Sequence, residues 1–214
     1  MTVQLIIDPR NPEGGALSEA TRILREGGIV AFPTETFYGL GVDARQEAAV
    51  EKIFHIKGRN SRNPISVIVD SAREVIPLVA ILPEAAKILM QKFWPGPLTL
   101  VFHAAPSVSS RLTGGSGKIG IRVSSNAVAR FLARGIAGPL TATSANLSGG
   151  QECTRAADVI PLLGDRLDAV IDGGSTPGGI GSTILDITVT PPLVLRTGVV
   201  SLTEILHALG IPER

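Results

Sequence analysis

Residues 47–69, EAAVEKIFHIKGRNSRNPISVIV, change period partway along. Val50, Ile53 and Phe54 recur at helical spacing, so Glu47 to Ile56 is predicted to be a helix with those three side chains inward. Ile65 to Val69 is a short β-branched run, the pattern of a buried strand. Between them KGRNSRNP crowds Lys57, Arg59 and Arg62 into six positions. Like charges repel, so such a turn is either solvated or built to hold an anion.

The alternation of helix and strand extends in both directions. Upstream, Val3 to Ile7 reads as a strand closed by an Asp8-Pro9 turn, and Leu17 to Glu26 as a helix stopped at Gly27-Gly28. Ile29 to Phe32 is a strand running into PTETFYGLG, residues 33–41, which has no clear period. Downstream, Ser71 with Glu74 forms a capping box for one helix, and Pro83 opens another that ends near Trp94. Leu98–Phe102 and Ile119–Val123 are predicted strands, followed by a helix over Asn126–Arg134 and a strand over Leu140–Thr143. Thr154–Ile160 is predicted helical and stopped by Pro161. Ala169–Ile171, Thr183–Ile187 and Leu193–Leu195 are predicted strands, and Ser201 with Glu204 caps a last helix ending at Gly210. Some consecutive strands are joined too tightly for a parallel crossover, so the fold class is α/β with a mixed parallel and antiparallel sheet.

The 214 residues carry no compositional break, and one domain spanning residues 1–214 is expected. Apolar residues make up 44% and charged residues 18%, a globular composition. A net charge of +1 supplies no overall field for nucleic acid, so any anion site is local. The single Cys153 excludes an internal disulfide and a cysteine-based zinc cluster, as expected of a cytoplasmic protein. No run of about 18 apolar residues and no basic-then-apolar leader occurs, so no membrane association is expected.

Three turns at strand ends combine small residues and hydroxyls: PTETFYGLG, TSANLSGG at 143–150 and GGIGST at 178–183. Open sheets bind ligands beyond their strand ends, so these turns could share a pocket. Neither standard phosphate loop is present, because GGSGK at 114–118 lacks the required upstream glycine and no G-x-G-x-x-G follows a strand. Arg122 lies inside the strand IGIRVS and Arg196 ends the strand LVLR. Each needs an anionic partner, either a structural one among Asp43, Asp172 and Asp186 or a ligand. His55, His103 and His207 form no catalytic triad and no metal-ligand spacing. Chemistry by positioning and charge stabilisation suits these residues best.

Together PTETFYGLGVDA, KGRNSRNPI, WPGPLTLVF, GKIGIRVSSN, TSANLSGG, GSTILDI and LRTGVVS resemble, in order, the YrdC-domain family of threonylcarbamoyl-AMP synthases. The likeness runs from Gly27 to Val200 and includes the family's KxR and SxN hallmark as Lys57, Arg59, Ser144 and Asn146. It implies a twisted mixed sheet with flanking helices around a positively lined cavity, in the short single-domain form. It implies a nucleotidyltransferase that converts L-threonine, bicarbonate and ATP into L-threonylcarbamoyl-AMP and pyrophosphate. That is the first step toward threonylcarbamoyladenosine at position 37 of tRNA. Lys57, Arg59, Ser144 and Asn146 are then catalytic, and ATP contacts Lys57, Arg59, Asn63, Lys118, Ser144, Asn146 and Arg196. Threonine contacts Thr36, Arg122, Ala142 and Ser182, and Mg2+ accompanies ATP. Implied partners are these small molecules, RNA or tRNA, and a downstream threonylcarbamoyl-transferase complex.

The likeness has departures. Asn60 follows Arg59 where proline is common, Ile68 and Val69 stand where many members have histidine, and Lys118 replaces a small hydroxyl residue. Arg62 has no matching role. The alternatives are a double-stranded RNA or tRNA module using the same cavity, and the carbamoyl-adenylating domain of hydrogenase maturation proteins.

Overall fold

The computed structural model describes residues 2–8 and 14–212. Pro9 of the anticipated Asp8-Pro9 turn lies outside them. In chain order the elements are β1 (Val3–Ile6), α1 (Gly15–Arg25), β2 (Val30–Pro33), β3 (Tyr38–Gly41), α2 (Glu47–Lys57) and β4 (Val67–Ile68). Then come α3 (Glu84–Phe93), β5 (Leu98–His103), α4 (Ser110–Thr113), β6 (Lys118–Arg122), α5 (Ala127–Ile136), β7 (Leu140–Thr141) and β8 (Thr143–Ser144). The chain closes with α6 (Ala156–Leu163), β9 (Ala169–Asp172), β10 (Thr183–Asp186), β11 (Leu193–Arg196) and α7 (Leu202–Leu209).

The strands divide between two mixed sheets. One has the order β1-β9-β2-β3-β8 and the other β11-β10-β5-β6-β4-β7. β1, β9 and β2 pair in parallel, whereas β2, β3 and β8 pair antiparallel. In the second sheet β10 with β5 and β4 with β6 are parallel; the remaining pairs are antiparallel. Both buried clusters draw on both sheets. Tyr38, Leu40 and Val170 pack with Leu98, Leu100 and Ile121, while Phe32 and Ala169 pack with Ile68 and Leu140.

The anticipated strand Leu140–Thr143 is two strands. Leu140 and Thr141 pair with β4, Thr143 and Ser144 pair with β3, and the chain changes sheet at Ala142. There the Ala142 N–H donates to the Ser66 carbonyl at 2.8 Å. One short segment therefore stitches the sheets together.

β3 falls within the aperiodic PTETFYGLG stretch. Gly39 and Gly41 sit flat against Phe32, whose ring leaves no room for a Cβ at Gly41 (2.7 Å). The packing requirement removes the side chains that would have marked a strand.

Other expectations shift for local reasons. Ser71 and Glu74 open a 3-10 helix over Ala72–Leu78, and the Ser71 side chain caps nothing; Glu74 accepts from the Asp70 N–H instead. Pro77 inside that segment has no N–H to extend an α-helical ladder. Pro161 does not stop α6 but lies within it, the carbonyl it leaves free belonging to the exposed Ala157. Pro83 is the N-cap of α3, one position ahead of its first helical residue. The capping box of Ser201 and Glu204 forms as predicted. Among the described residues no helix is long and apolar enough to cross a membrane.

Candidate active site

A cleft of about 560 Å³ opens between the two sheets, within the usual size of small-molecule sites. The first sheet contributes the turn after β2 and the edges of β3 and β8. The second contributes one face of β5, β6, β10 and β11, where alternate residues such as Thr99 and Val101, or Lys118, Gly120 and Arg122, point the same way. Four cations line it, Arg59, Lys118, Arg122 and Arg196, against two carboxylates, Glu152 and Asp186.

α2 delivers Lys57 and Arg59 to one wall. The helix ends on Gly58, whose φ of 58° is the left-handed cap conformation that glycine adopts without strain. The reversal sends Lys57 behind the wall and Arg59 into it. Lys57 is 3% exposed, and its Nζ donates to the Ser144 carbonyl, the Asn146 carbonyl (2.7 Å) and Asn146 Oδ1 (2.9 Å). Burial, and secondarily the charge of Arg59, push its pKa down to about 8. Ser144 Oγ, on the cleft side, also bonds Asn146 Oδ1 at 2.8 Å. Arg59 donates to the Pro64 carbonyl at 2.9 Å and to Thr143 Oγ1 at 3.3 Å, while its buried Nε has no hydrogen-bond partner among the described residues. Burial also lowers the Arg59 pKa.

The opposite wall holds Arg122 and Arg196. Arg122 pairs with Glu35 at 2.8 Å, correcting the expectation of Asp43, Asp172 or Asp186 as a structural partner. Asp43 is engaged by Arg45 and Asp186 by Lys118. Arg196 has no carboxylate partner among the described residues; its Nε and NH2 donate to the Ser182 carbonyl at 3.0 and 2.8 Å, and NH2 to Ser182 Oγ at 2.9 Å. Desolvation lowers the pKa of both arginines, and Arg196 lowers that of Arg122 further. Arg122 is thus buried with a single carboxylate oxygen as partner, and Arg196, more exposed at the cleft edge, carries a charge that no carboxylate offsets among the described residues, so this wall favours an anion.

Of the residues singled out from sequence, Thr36, Arg59, Lys118, Arg122, Ala142, Ser144, Ser182 and Arg196 line this cleft. Lys57 and Asn146 stand behind it, and Asn63 and Arg62 are exposed outside it. Lys118 is already held by Asp186 at 2.8 Å. Sequence reasoning missed Glu35, Glu152 and Thr99. Glu35 carried a signal: an acid between two threonines at the end of a buried strand needs a cation nearby.

Among the described residues no group of three or more histidine, cysteine or acidic side chains is placed to hold a metal ion. Asp186 also accepts from Thr188, and Glu152 is the remaining lining carboxylate. These residues do not fit a resident metal. The histidines are exposed, and burial raises the pKa of the Cys153 thiol, so neither supplies an evident base or nucleophile.

Comparison with known proteins gives concordant matches. A family model for Sua5, YciO and YrdC, described as telomere recombination, matches residues 22–198. A threonylcarbamoyl-AMP synthase of Pyrococcus abyssi is 40% identical over 191 residues, covering 89% of this chain and 56% of the relative. A putative threonylcarbamoyl-AMP synthase of Mycobacterium tuberculosis is 37% identical over 204 residues, covering 95% and 93%. The crystal structure of P. abyssi Sua5 complexed with L-threonine superposes with a TM-score of 0.92 at 37% identity, covering 98% of this chain and 61% of that one. The chain thus spans less than two thirds of the length of the Pyrococcus relative.

Proposed function

Because this chain belongs to the Sua5/YciO/YrdC family, we propose that it is an L-threonylcarbamoyladenylate synthase. The observation that carries the proposal is one cleft with two cationic walls, Arg59 beside Ser144 on one and Arg122 beside Arg196 and Ser182 on the other. Two anionic substrates that must react with each other need such a pair of neighbouring subsites.

ATP lies against Arg59, Ser144, Lys118 and Arg196 in this proposal. The threonine carboxylate meets Arg122, with Thr36, Ala142 and Ser182 around the amino acid. Lys57 and Asn146 act on the nucleotide subsite through Ser144, whose position they hold. The threonine amine bonds to the bicarbonate carbon as a C–O bond breaks, and the hydroxyl leaves with an amine proton as water, giving a carbamate. A carbamate oxygen then bonds to the α-phosphorus as the bond to the pyrophosphate oxygen breaks. Charge builds on the α-phosphate and the leaving group, where fixed guanidinium donors stabilise it without reorganising. Mg2+ would accompany ATP as part of the substrate and would supply shielding of phosphate charge, with few protein ligands needed.

The product is a mixed anhydride, an activated acyl donor, so a downstream transferase acting on tRNA in the cytoplasm completes the proposal. Duplex RNA is a poorer fit to a recess of this size than small substrates are. The test is pyrophosphate release from ATP. It should require threonine and bicarbonate together, and Arg59→Ala should lower it on the order of a hundredfold. Equal release without threonine would refute the assignment.

A further inference from the structure

Glu35 joins the two sheets at the cleft. It belongs to the turn between β2 and β3, whereas its partners lie on and just beyond β6 of the other sheet. One carboxylate oxygen accepts from Arg122 NH1 at 2.8 Å and the other from the Ser124 hydroxyl. The Ser124 oxygen in turn accepts from the Asn126 N–H at 3.1 Å, and Asn126 caps α5 through its side chain. The Arg122 and Glu35 side chains are 8% and 11% exposed.

This chain of bonds leaves Arg122 little freedom. NH1 is committed to Glu35, and no other guanidinium nitrogen of Arg122 has a hydrogen bond among the described residues. A planar guanidinium held by one corner presents its remaining edge in a fixed direction, the geometry that bidentate carboxylate recognition requires. Arg196 lines the same wall and its like charge acts against Arg122, so the bond to Glu35 also holds the buried guanidinium in place against that repulsion.

We propose that Glu35 is a positioning residue that orients Arg122 toward the carboxylate of the amino-acid substrate. It can act so only if Arg122 receives that carboxylate, as proposed above. Positioning and simple electrostatics predict opposite signs. Removing a negative charge beside Arg122 would strengthen attraction for a carboxylate, whereas releasing the guanidinium would weaken its capture.

The deciding experiment measures KM for threonine and for ATP in Glu35→Gln, Glu35→Asp and Arg122→Lys, with melting temperatures alongside. Glu35→Gln removes the charge at nearly constant shape, and Glu35→Asp keeps the charge but shortens the reach. Both should raise KM for threonine on the order of tenfold while leaving KM for ATP within about twofold. A purely structural role would reduce the amount of folded enzyme and leave KM unchanged, which would overturn the proposal. So would a lower KM for threonine in Glu35→Gln, or a wild-type KM in Glu35→Asp. If Arg122→Lys leaves KM for threonine unchanged, the amino-acid subsite itself is wrong and the proposal falls with it. A raised KM in Arg122→Lys alone would retain the subsite and reject Glu35.

Discussion

Lys57 is buried with its ammonium group ringed by three oxygen acceptors, so all three of its protons are used while it is charged. Desolvation nevertheless pulls its pKa to about 8, against 10.5 for an unperturbed lysine. Between those two values the unfolded chain holds more protons on this residue than the folded one, so stability rises with pH across that window. Below about pH 8 both states are charged and the cost of burying the charge is fully present. The prediction is that the stability of the wild type relative to Lys57→Met increases from pH 7.5 to pH 10, measured by urea denaturation. A wild-type stability that falls relative to the variant over that range would mean that the three acceptors outweigh desolvation. The sequence displayed Lys57 and Arg59 as equivalent cations in one turn. Only the backbone reversal at Gly58 separates them, Lys57 to support Ser144 and Arg59 to face the cleft. Side-chain direction at a helix end depends on the cap, which spacing alone does not reveal.

Among the elements, long periodic segments were legible and short packed ones were not. α2 is buried at Val50, Ile53 and Phe54, and α7 carries its expected capping box, because amphipathic spacing and caps are local in origin. β3 was hidden because its packing against Phe32 demands glycine, and the two halves of Leu140–Thr143 were indistinguishable because the pairing partners of each lie far away in sequence. Two glycine substitutions separate packing from backbone strain. Gly41→Ala would place a Cβ 2.7 Å from the Phe32 ring and 2.8 Å from Leu140, and should destabilise by about 1–3 kcal/mol through overpacking. Gly58→Ala meets no atom within 4 Å and should cost only about 1 kcal/mol, from the left-handed backbone alone. Guanidinium denaturation of both variants checks the order. At α7, Ser201→Ala should cost about 1 kcal/mol by removing the bond to the Glu204 N–H, read by the same measurement.

At the scale of the molecule, the cleft exists because two sheets are held at a fixed separation. Ala142 carries the chain from one to the other, Glu35 bonds across to Arg122, and both apolar clusters are shared between the sheets. Parts joined this way should unfold together. The chain contains one tyrosine and one tryptophan, and they report on different halves. Tyr38 is fully buried on β3 of the first sheet, its phenol pushed up to about 12 mainly by burial. Trp94 follows α3 beside the second sheet, its indole N–H donating to the Leu98 carbonyl at 2.6 Å. Tyrosine absorbance and tryptophan fluorescence should therefore trace coincident urea transitions with one midpoint. A ligand present at 100 times its dissociation constant adds about 2.7 kcal/mol to the state that binds it. If the substrates bridge both walls, ATP with threonine should move both midpoints equally. Separate midpoints, or a shift seen by Tyr38 alone, would mean that the stitch at Ala142 does not couple the sheets and that the walls of the cleft are free to part.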